Sequence, residues 1–417
     1  MEPLLYLAHR IPYPPNKGDK IRSFNLLRYL AGRYRVFLGC FVDSADDEVH
    51  ADALSRWCAS ACVVRLHRRI VRMKSLTGLL SGEALTLPYY RNRKMHAWVR
   101  ETVQREGIRR AVAFSSPMAQ YLDDLDVRSV VDLVDVDSAK WTSYASEHRW
   151  PLSAIYRREG KRLLAFERAA VARASAGVLV TRAEVELFNR LAPECAGRMH
   201  AIENGVDSDY FAPSENFSSP FKVGEAPLVF TGVMDYWPNV DAVTWFAREV
   251  LPAVAHKRPD VRFYVVGMNP VPAVLALAAD ARVIVTGKVS DVRPYLQHAS
   301  AIVAPLRIAR GVQNKVLEAM AMARPVVVSA AAGAGISGSA GVEFEAADDA
   351  VGFAQSTLSV LDPGYGNAMG ERARACIRVD YRWEVNLARF ADLIDGASAQ
   401  EATGDGHQAA LDVALAG

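Results

Sequence analysis

Short apolar runs alternate with stretches of helical periodicity along most of the chain. PLLYLA (Pro3–Ala8) leads into KIRSFNLLRYLAG, and VFLGCFV leads into DDEVHADALSRWC. RAVAF, VVDLV and AGVLVT follow, the last running into AEVELFNRL. Continuous apolar runs of this kind suit strands buried on both faces, and strands separated by helices pair in parallel. A turn-rich segment, NGVDSDYFAPSENFSSPFKVGEAP (Asn204–Pro227), interrupts the rhythm. It then restarts with LVFTG, NVDAVTWFAREVLPAVA, VRFYVVG, VIVTG, DVRPYLQHA, AIVAP, a helix containing Glu318, and PVVVS. The pattern predicts two α/β units joined by a hinge. Beyond Asp395 the small, polar GASAQEATGDGHQAALDVALAG predicts a loose tail over 397–417.

Length supports the division, since 417 residues exceed one ordinary core. A net charge of +2 makes no case for nucleic acid as a partner. The five cysteines are odd in number and scattered, and Cys58 and Cys62 have no second Cys/His pair near them. Buried free thiols in a reducing cytoplasm fit better than zinc. The opening MEPLLYLAHRIPYPP, with an acid at position two, reads as a first strand and not as a signal peptide. No run approaches the roughly 18 apolar residues of a spanning helix.

Open parallel sheets bind ligands at the carboxyl ends of their strands, so the strand-to-helix loops are where chemistry is expected. In AHRIPYPPNKGDKIR, Pro12, Pro14 and Pro15 stiffen the first loop and Gly18 permits a tight helix entry. Lys17, Lys20 and Arg22 surround that helix N-terminus, which favours an anion. A capped helix with solvated lysines is the plainer reading. His9 reads as a local hydrogen-bonding residue. The loop lacks G-x-G-x-x-G, which weighs against a dinucleotide oxidoreductase.

Three loops of the second half match one another. FTGVMDYWPNVDA puts Gly232 at a strand end and Asn239 at an N-cap; VTGKVSDVRPYL puts Gly287 at another strand end with Asp291 as a cap. APLRIARGVQNKVLEAMA puts Gly311 at the start of the next helix. On that helix Lys315 and Glu318 share a face. A surface ion pair is one reading. The apolar neighbours Leu317, Ala319, Met320 and Ala321 favour another. A carboxylate at a cleft accepts two hydroxyl hydrogen bonds, as from a ribose diol, while the lysine meets the adjoining diphosphate.

Two further segments carry two readings each. Asp135-x-Asp137, after an apolar strand, could hold a divalent metal on a diphosphate or orient a substrate without metal. VVRLHRRIVRMKSLTGLLSG (Val63–Gly82) has five Lys/Arg and no acid, interleaved with Ile70, Val71, Met73, Leu76, Leu79 and Leu80. It reads as a solvated basic helix or as a docking segment for an anionic bilayer.

KVLEAMAMARPVVVS, preceded in order by NGVD, FTGVMDYWPN and VTGKVSDVRPYL, resembles the retaining GT-B glycosyltransferases of family four. LAHRIPYPPNKGDKIRSFNLL and VVDLVDVDSAKW resemble in particular the subgroup associated with exopolysaccharide and PEP-CTERM/exosortase gene clusters. The resemblance runs from about residue 3 to 395. It implies an α/β, GT-B fold of two facing Rossmann-like domains with an interdomain cleft. Residues 1–205, with a crossover helix at about 380–396, would be the acceptor side, and residues 206–379 would bind the nucleotide sugar.

The resemblance makes Glu318 the second acid of a Glu-x7-Glu pair, a ribose ligand. The first position is Arg310, which cannot accept hydrogen bonds, so recognition of the donor sugar does not carry over. Arg310 would bind phosphate or an anionic group of the sugar. The implied donor set is Gly18, Gly232, Asn239, Gly287, Val289, Arg310, Gly311, Lys315 and Glu318. The family's two-glycine loop is altered to Lys17-Gly18-Asp19. Asp135, Asp137 and Lys315 are the catalytic candidates, with no metal and no cofactor. Helix N-termini and Lys315 would stabilise the leaving group. The implied reaction moves a sugar from a nucleotide diphosphate to a glycan or lipid-linked acceptor, with retention, in bacterial exopolysaccharide biosynthesis. The protein would be cytoplasmic, or peripheral on the inner face of the membrane. Its rivals are a GT-A-like, metal-dependent transferase using Asp135 and Asp137, and a non-catalytic GT-B relative that binds a glycan or partner.

Overall fold

The computed structural model describes residues 1–15, 18–309 and 312–396. The expected loose tail at 397–417, and the candidates Lys17, Arg310 and Gly311, lie outside the described residues. The chain forms two compact units. Met1–Glu203 makes the first, rejoined by the described residues 386–396, and Asn204–Val385 makes the second. The helix Trp383–Asp395 thus begins in the second unit and ends in the first.

The first unit holds β1 (Pro3–Ala8), β2 (Arg35–Val42), β3 (Ser60–Arg65), β4 (Arg110–Phe114), β5 (Arg128–Val134), β6 (Ala176–Leu179) and β7 (Met199–Ala201). Their order is β3-β2-β1-β4-β5-β6-β7, every pairing parallel. The second unit holds β8 (Ala226–Thr231), β9 (Val261–Val266), β10 (Val283–Gly287), β11 (Ala301–Ala304), β12 (Val326–Val328) and β13 (Glu345–Ala346). Their order is β10-β9-β8-β11-β12-β13, again parallel. In both sheets the chain winds outward on one side of its first strand, then returns to wind along the other. The switch points fall beside β1 and β8, where sheets of this kind bind ligands at the strands' carboxyl ends. The central strands are buried along nearly their whole length because helices cover both faces, which explains their unbroken apolar runs.

The first unit's core also contains charge. In the helix Gly18–Ala31, Lys20 is fully buried and its Nζ lies 2.6 Å from Asp47 Oδ1. Arg22 donates from Nε to Asp132 Oδ2 at 2.8 Å and from Nη1 to the Ile202 carbonyl at 3.0 Å. Burial pushes the Asp132 carboxyl up, against the attraction of Arg22. These contacts correct the sequence reading of both residues. Lys20 and Arg22 are neither solvated nor turned to an anion at the helix start. Their partners stand 27 and 110 residues away, out of reach of any local pattern.

A buried pair is most damaging when half broken, because the survivor is left charged in a low dielectric. Asp132→Ala should destabilise the first unit by about 3–5 kcal/mol. Arg22→Met combined with Asp132→Leu should be less harmful than Asp132→Ala alone, as read from urea unfolding followed by circular dichroism.

Candidate active site

The second unit gathers its polar groups where β8, β9 and β10 end. Gly232 N–H donates to the Val266 carbonyl at 3.0 Å, and Gly267 N–H donates to the Gly287 carbonyl at 3.1 Å, tying the three strand ends together. A Cβ on Gly267 would lie 1.6 Å from the Gly232 carbonyl oxygen. One on Gly232 would lie 2.8 Å from Asn239 Nδ2 and 3.0 Å from Lys315 Nζ. Gly287 is required for another reason. Its φ of +69° is left-handed, although the space beside it is open. Val289, in the loop after β10, is half-buried against the core.

Lys315, on the helix Asn314–Ala321, reaches into this corner. Its Nζ donates to Asn239 Oδ1 at 2.6 Å and sits 4.1 Å from the centroid of the Phe230 ring. Asn239 in turn donates from Nδ2 to the Val233 carbonyl at 2.8 Å. The expected N-cap role of Asn239 is therefore corrected. The helix Trp237–Trp245 is capped at Tyr236, without a side-chain cap bond, and Asn239 lies inside its first turn. Its amide is taken up by the lysine and the strand-end loop.

The surface ion pair between Lys315 and Glu318 is absent. Glu318 is half-buried on the same helix, and among the described residues its carboxylate has no hydrogen-bond or ion-pair partner. Burial pushes its carboxyl up to about 7, against the attraction of Lys315. Burial likewise pushes the Lys315 ammonium down to about 7, against the attraction of Glu318. The corner thus presents Lys315 Nζ fixed in direction against the backbone of Gly232, with an open carboxylate one turn further on.

In the first unit the loop after β5 is held at alternate residues. Val136 N–H donates to Glu184 Oε2 at 2.7 Å; Ser138 donates from Oγ to Glu167 Oε2 at 2.6 Å and from N to Oε1 at 3.3 Å. Both glutamates are buried. Asp135 and Asp137 share one cation, with Lys140 Nζ at 2.7 Å and 3.0 Å. Against the cost of burial, the two aspartates hold the Lys140 ammonium well above its ordinary range. Burial, with Asp137 nearby, pushes Glu167 up to about 8. Val134 has a φ of +68°, a strained conformation for a β-branched residue, fixed by Asp132 Oδ1 accepting from its N–H at 3.1 Å.

Gly18 opens the first long helix, next to an Asp19 bonded by Arg10 at 2.6 Å and approached by His9 Nε2 at 3.4 Å. Against the upward push of burial, His9 and Arg10 hold the Asp19 carboxyl well below its usual range. The structure brings Gly232, Asn239 and Lys315 into contact and sets Gly287 beside them through Gly267. Asp135 and Asp137 form a separate group in the first unit. Lys140, Gly267 and Phe230 are participants that the sequence reading passed over. Lys140 follows Asp137 at helical spacing, and Gly267 ends a strand as Gly232 does, so both signals were present.

Residues 225–363 match the family model described as Glycosyl transferases group 1. No curated protein sequence matches the chain. Among solved structures, HepE of Anabaena in complex with UDP and glucose is 16% identical, with a TM-score of 0.65 over 94% of this chain and 99% of that one. The sucrose-phosphate synthase of Thermosynechococcus elongatus is 16% identical, with a TM-score of 0.71 over 95% and 99%. WaaG, a glycosyltransferase involved in lipopolysaccharide biosynthesis, is 17% identical, with a TM-score of 0.64 over 94% and 100%. The fold is that of the GT-B glycosyltransferases and not the GT-A architecture of the rival reading. The second unit carries a glycosyltransferase group 1 domain, and by that domain the chain is classed as a glycosyltransferase.

The two glycines predict different damage. Gly267→Ala should unfold or displace the β8 and β9 loops, lowering the thermal midpoint by several degrees or more, because backbone cannot yield by this much. Gly287→Ala should cost only about 1–2 kcal/mol, the strain of one left-handed residue. Thermal denaturation of the two variants checks the order.

Proposed function

We propose that the protein moves a sugar from a nucleotide-diphosphate donor to a glycan or lipid-linked acceptor, with retention, in bacterial exopolysaccharide synthesis. The observation that carries this reading is the corner of Lys315, Asn239 and Gly232, with the open carboxylate of Glu318 one turn away. A diphosphate is met there by an ammonium that a neutral amide and an aromatic face hold in place without cancelling its charge. Glu318 accepts from the ribose 2′ and 3′ hydroxyls. UDP bound in a structure of the same fold supports a nucleotide donor.

Cleavage of the sugar–phosphate bond places negative charge on the departing diphosphate. Lys315 is the fixed group that stabilises it, lying against the bare backbone of Gly232. Burial loosens the Lys315 proton, and an arriving diphosphate holds it in place. In the first unit Asp135 and Asp137 orient the acceptor or the transferred sugar, accepting from hydroxyls while Lys140 donates. No metal takes part in this reading: the space between the two carboxylates is filled by an ammonium. The protein works in the cytoplasm, peripherally on the inner membrane face, where Val63–Gly82 meets anionic lipid. No described helix is long and apolar enough to cross a membrane.

Nucleotide binding tests the donor site. Among UDP, GDP, ADP and dTDP, the one giving the largest thermal shift serves as the probe. Glu318→Ala should weaken its binding by about 1–3 kcal/mol while leaving the unfolding midpoint of the free protein unchanged. Wild-type affinity should peak near pH 7. It falls below that pH as Glu318 takes up a proton and loses acceptors, and above it as Lys315 loses its charge. In Glu318→Gln the acid limb should shrink to the part set by protonation of the nucleotide's own terminal phosphate, and the alkaline limb remain, as titration calorimetry across pH would show.

Transfer activity should persist in EDTA. Loss of activity that Mn²⁺ restores, with Asp135→Asn and Asp137→Asn both inactive, is the result that would replace this reading with a metal-assisted one.

A further inference from the structure

Among the described residues of the first unit, the large exposed apolar side chains are concentrated in two places. Five lie between Ile70 and Leu80 and three between Trp150 and Ile155; elsewhere there are only Met1 and Val49. Leu80 is 93% exposed, Trp150 82% and Met73 74%. The first group sits on the short helices Arg68–Ser75 and Thr77–Ser81, the second at the start of the helix Leu152–Arg173. Single exposed apolar residues are ordinary, but a contiguous set is not.

The two groups belong to one structural block. Arg158 donates from Nη2 to the Gly78 carbonyl at 2.7 Å and from Nη1 to the Glu83 carbonyl at 3.1 Å. Glu159 accepts from the N–H groups of Leu85 at 2.6 Å and Thr86 at 3.0 Å, and from the Thr86 hydroxyl. The long helix is therefore bolted to the Thr77–Ser81 turn one helical turn past Ile155, so both apolar groups flank a single junction.

Basic charge predominates around both, with Arg68 paired to Asp43 at 3.0 Å. Arg68, Arg69, Arg72 and Lys74 accompany the first group; Arg149 and Arg157 accompany the second, and all are exposed. Between 66 and 82 there is no acid, and between 148 and 162 the only acid is the buried Glu159. A second copy of the chain set against this face would oppose like charges. An anionic bilayer meets the basic residues with phosphates and the apolar ones with acyl chains, and a tryptophan is suited to the headgroup boundary.

We propose that the Trp150–Ile155 turn is the aromatic half of a bilayer-docking face, joined to Val63–Gly82, and that the face is occupied by anionic phospholipid. This rests on the membrane reading given under Proposed function and adds a second, independent anchor to it.

The test uses the full chain and flotation with vesicles of phosphatidylglycerol and phosphatidylethanolamine, with phosphatidylcholine vesicles as the uncharged control. Wild type should float with the anionic vesicles at low salt, and less as salt rises. The triple variant Trp150→Ser, Leu152→Ser, Ile155→Ser should bind about tenfold or more weakly, as should Arg68, Arg69, Arg72 and Lys74 all changed to Gln. Brominated lipids should quench tryptophan emission in wild type, and Trp150→Phe should lose most of that quenching while still floating. The mutated side chains are exposed, and unchanged circular dichroism spectra establish that each variant is folded. Wild type that stays unbound overturns the membrane reading and this inference together. Binding lost in the glutamine variant but intact in the serine variant, with quenching unchanged in Trp150→Phe, overturns this inference alone.

Discussion

The second unit depends on two positions having no side chain. A single methyl on Gly267 would collide with the Gly232 carbonyl oxygen, so the ends of β8 and β9 can meet only if that residue is bare. Once they meet, Gly232 leaves room for the Lys315 ammonium and the Asn239 amide to lie against backbone. Packing and charge placement are then the same fact. The lysine is directed by a neutral amide and an aromatic ring, neither of which removes its charge, and burial keeps its proton loosely held. This is a suitable resting state for a group that must meet incoming negative charge.

The first unit uses crowded charge where the second uses empty space. Around the end of β5, Asp132 pairs with Arg22, Asp135 and Asp137 pair with Lys140, and Glu167 and Glu184 bond Ser138 and Val136. The buried glutamates hold Val136 and Ser138, while Asp135 and Asp137 share Lys140. The strain at Val134 persists because several hydrogen bonds fix the residues around it. Such a loop has little freedom to reorient, which suits side chains that must be aimed before a substrate arrives.

Both groups lie where the strand order of their sheet places carboxyl ends near a change of winding direction. At 16–17% identity to structures that cover nearly the whole chain, the architecture is shared while most side chains are not. The specific chemistry must therefore be read from this chain's own residues, and the Asp135–Asp137–Lys140 and Lys315–Asn239 contacts are where it can be read.

The sequence by itself determined what is local. Apolar runs separated by helical periods specify parallel strands covered on both faces, and the turn-rich Asn204–Pro227 segment marks the passage between units, because burial on two faces leaves a continuous record in the residues of the strand. It also placed Lys315 and Glu318 on one helical face and marked Gly232 and Gly287 as strand-end residues. It could not decide which charges would be buried, or with whom. Lys20 and Lys315 both stand near the start of a helix that follows a strand end, yet Lys20 is sealed against Asp47, while Lys315 crosses 76 residues of sequence to Asn239. Asn239 looked like a cap and became that lysine's acceptor, and Arg22 found its partner 110 residues away. The fate of a charge depends on which groups share its low-dielectric surroundings, and only the folded chain brings those groups together.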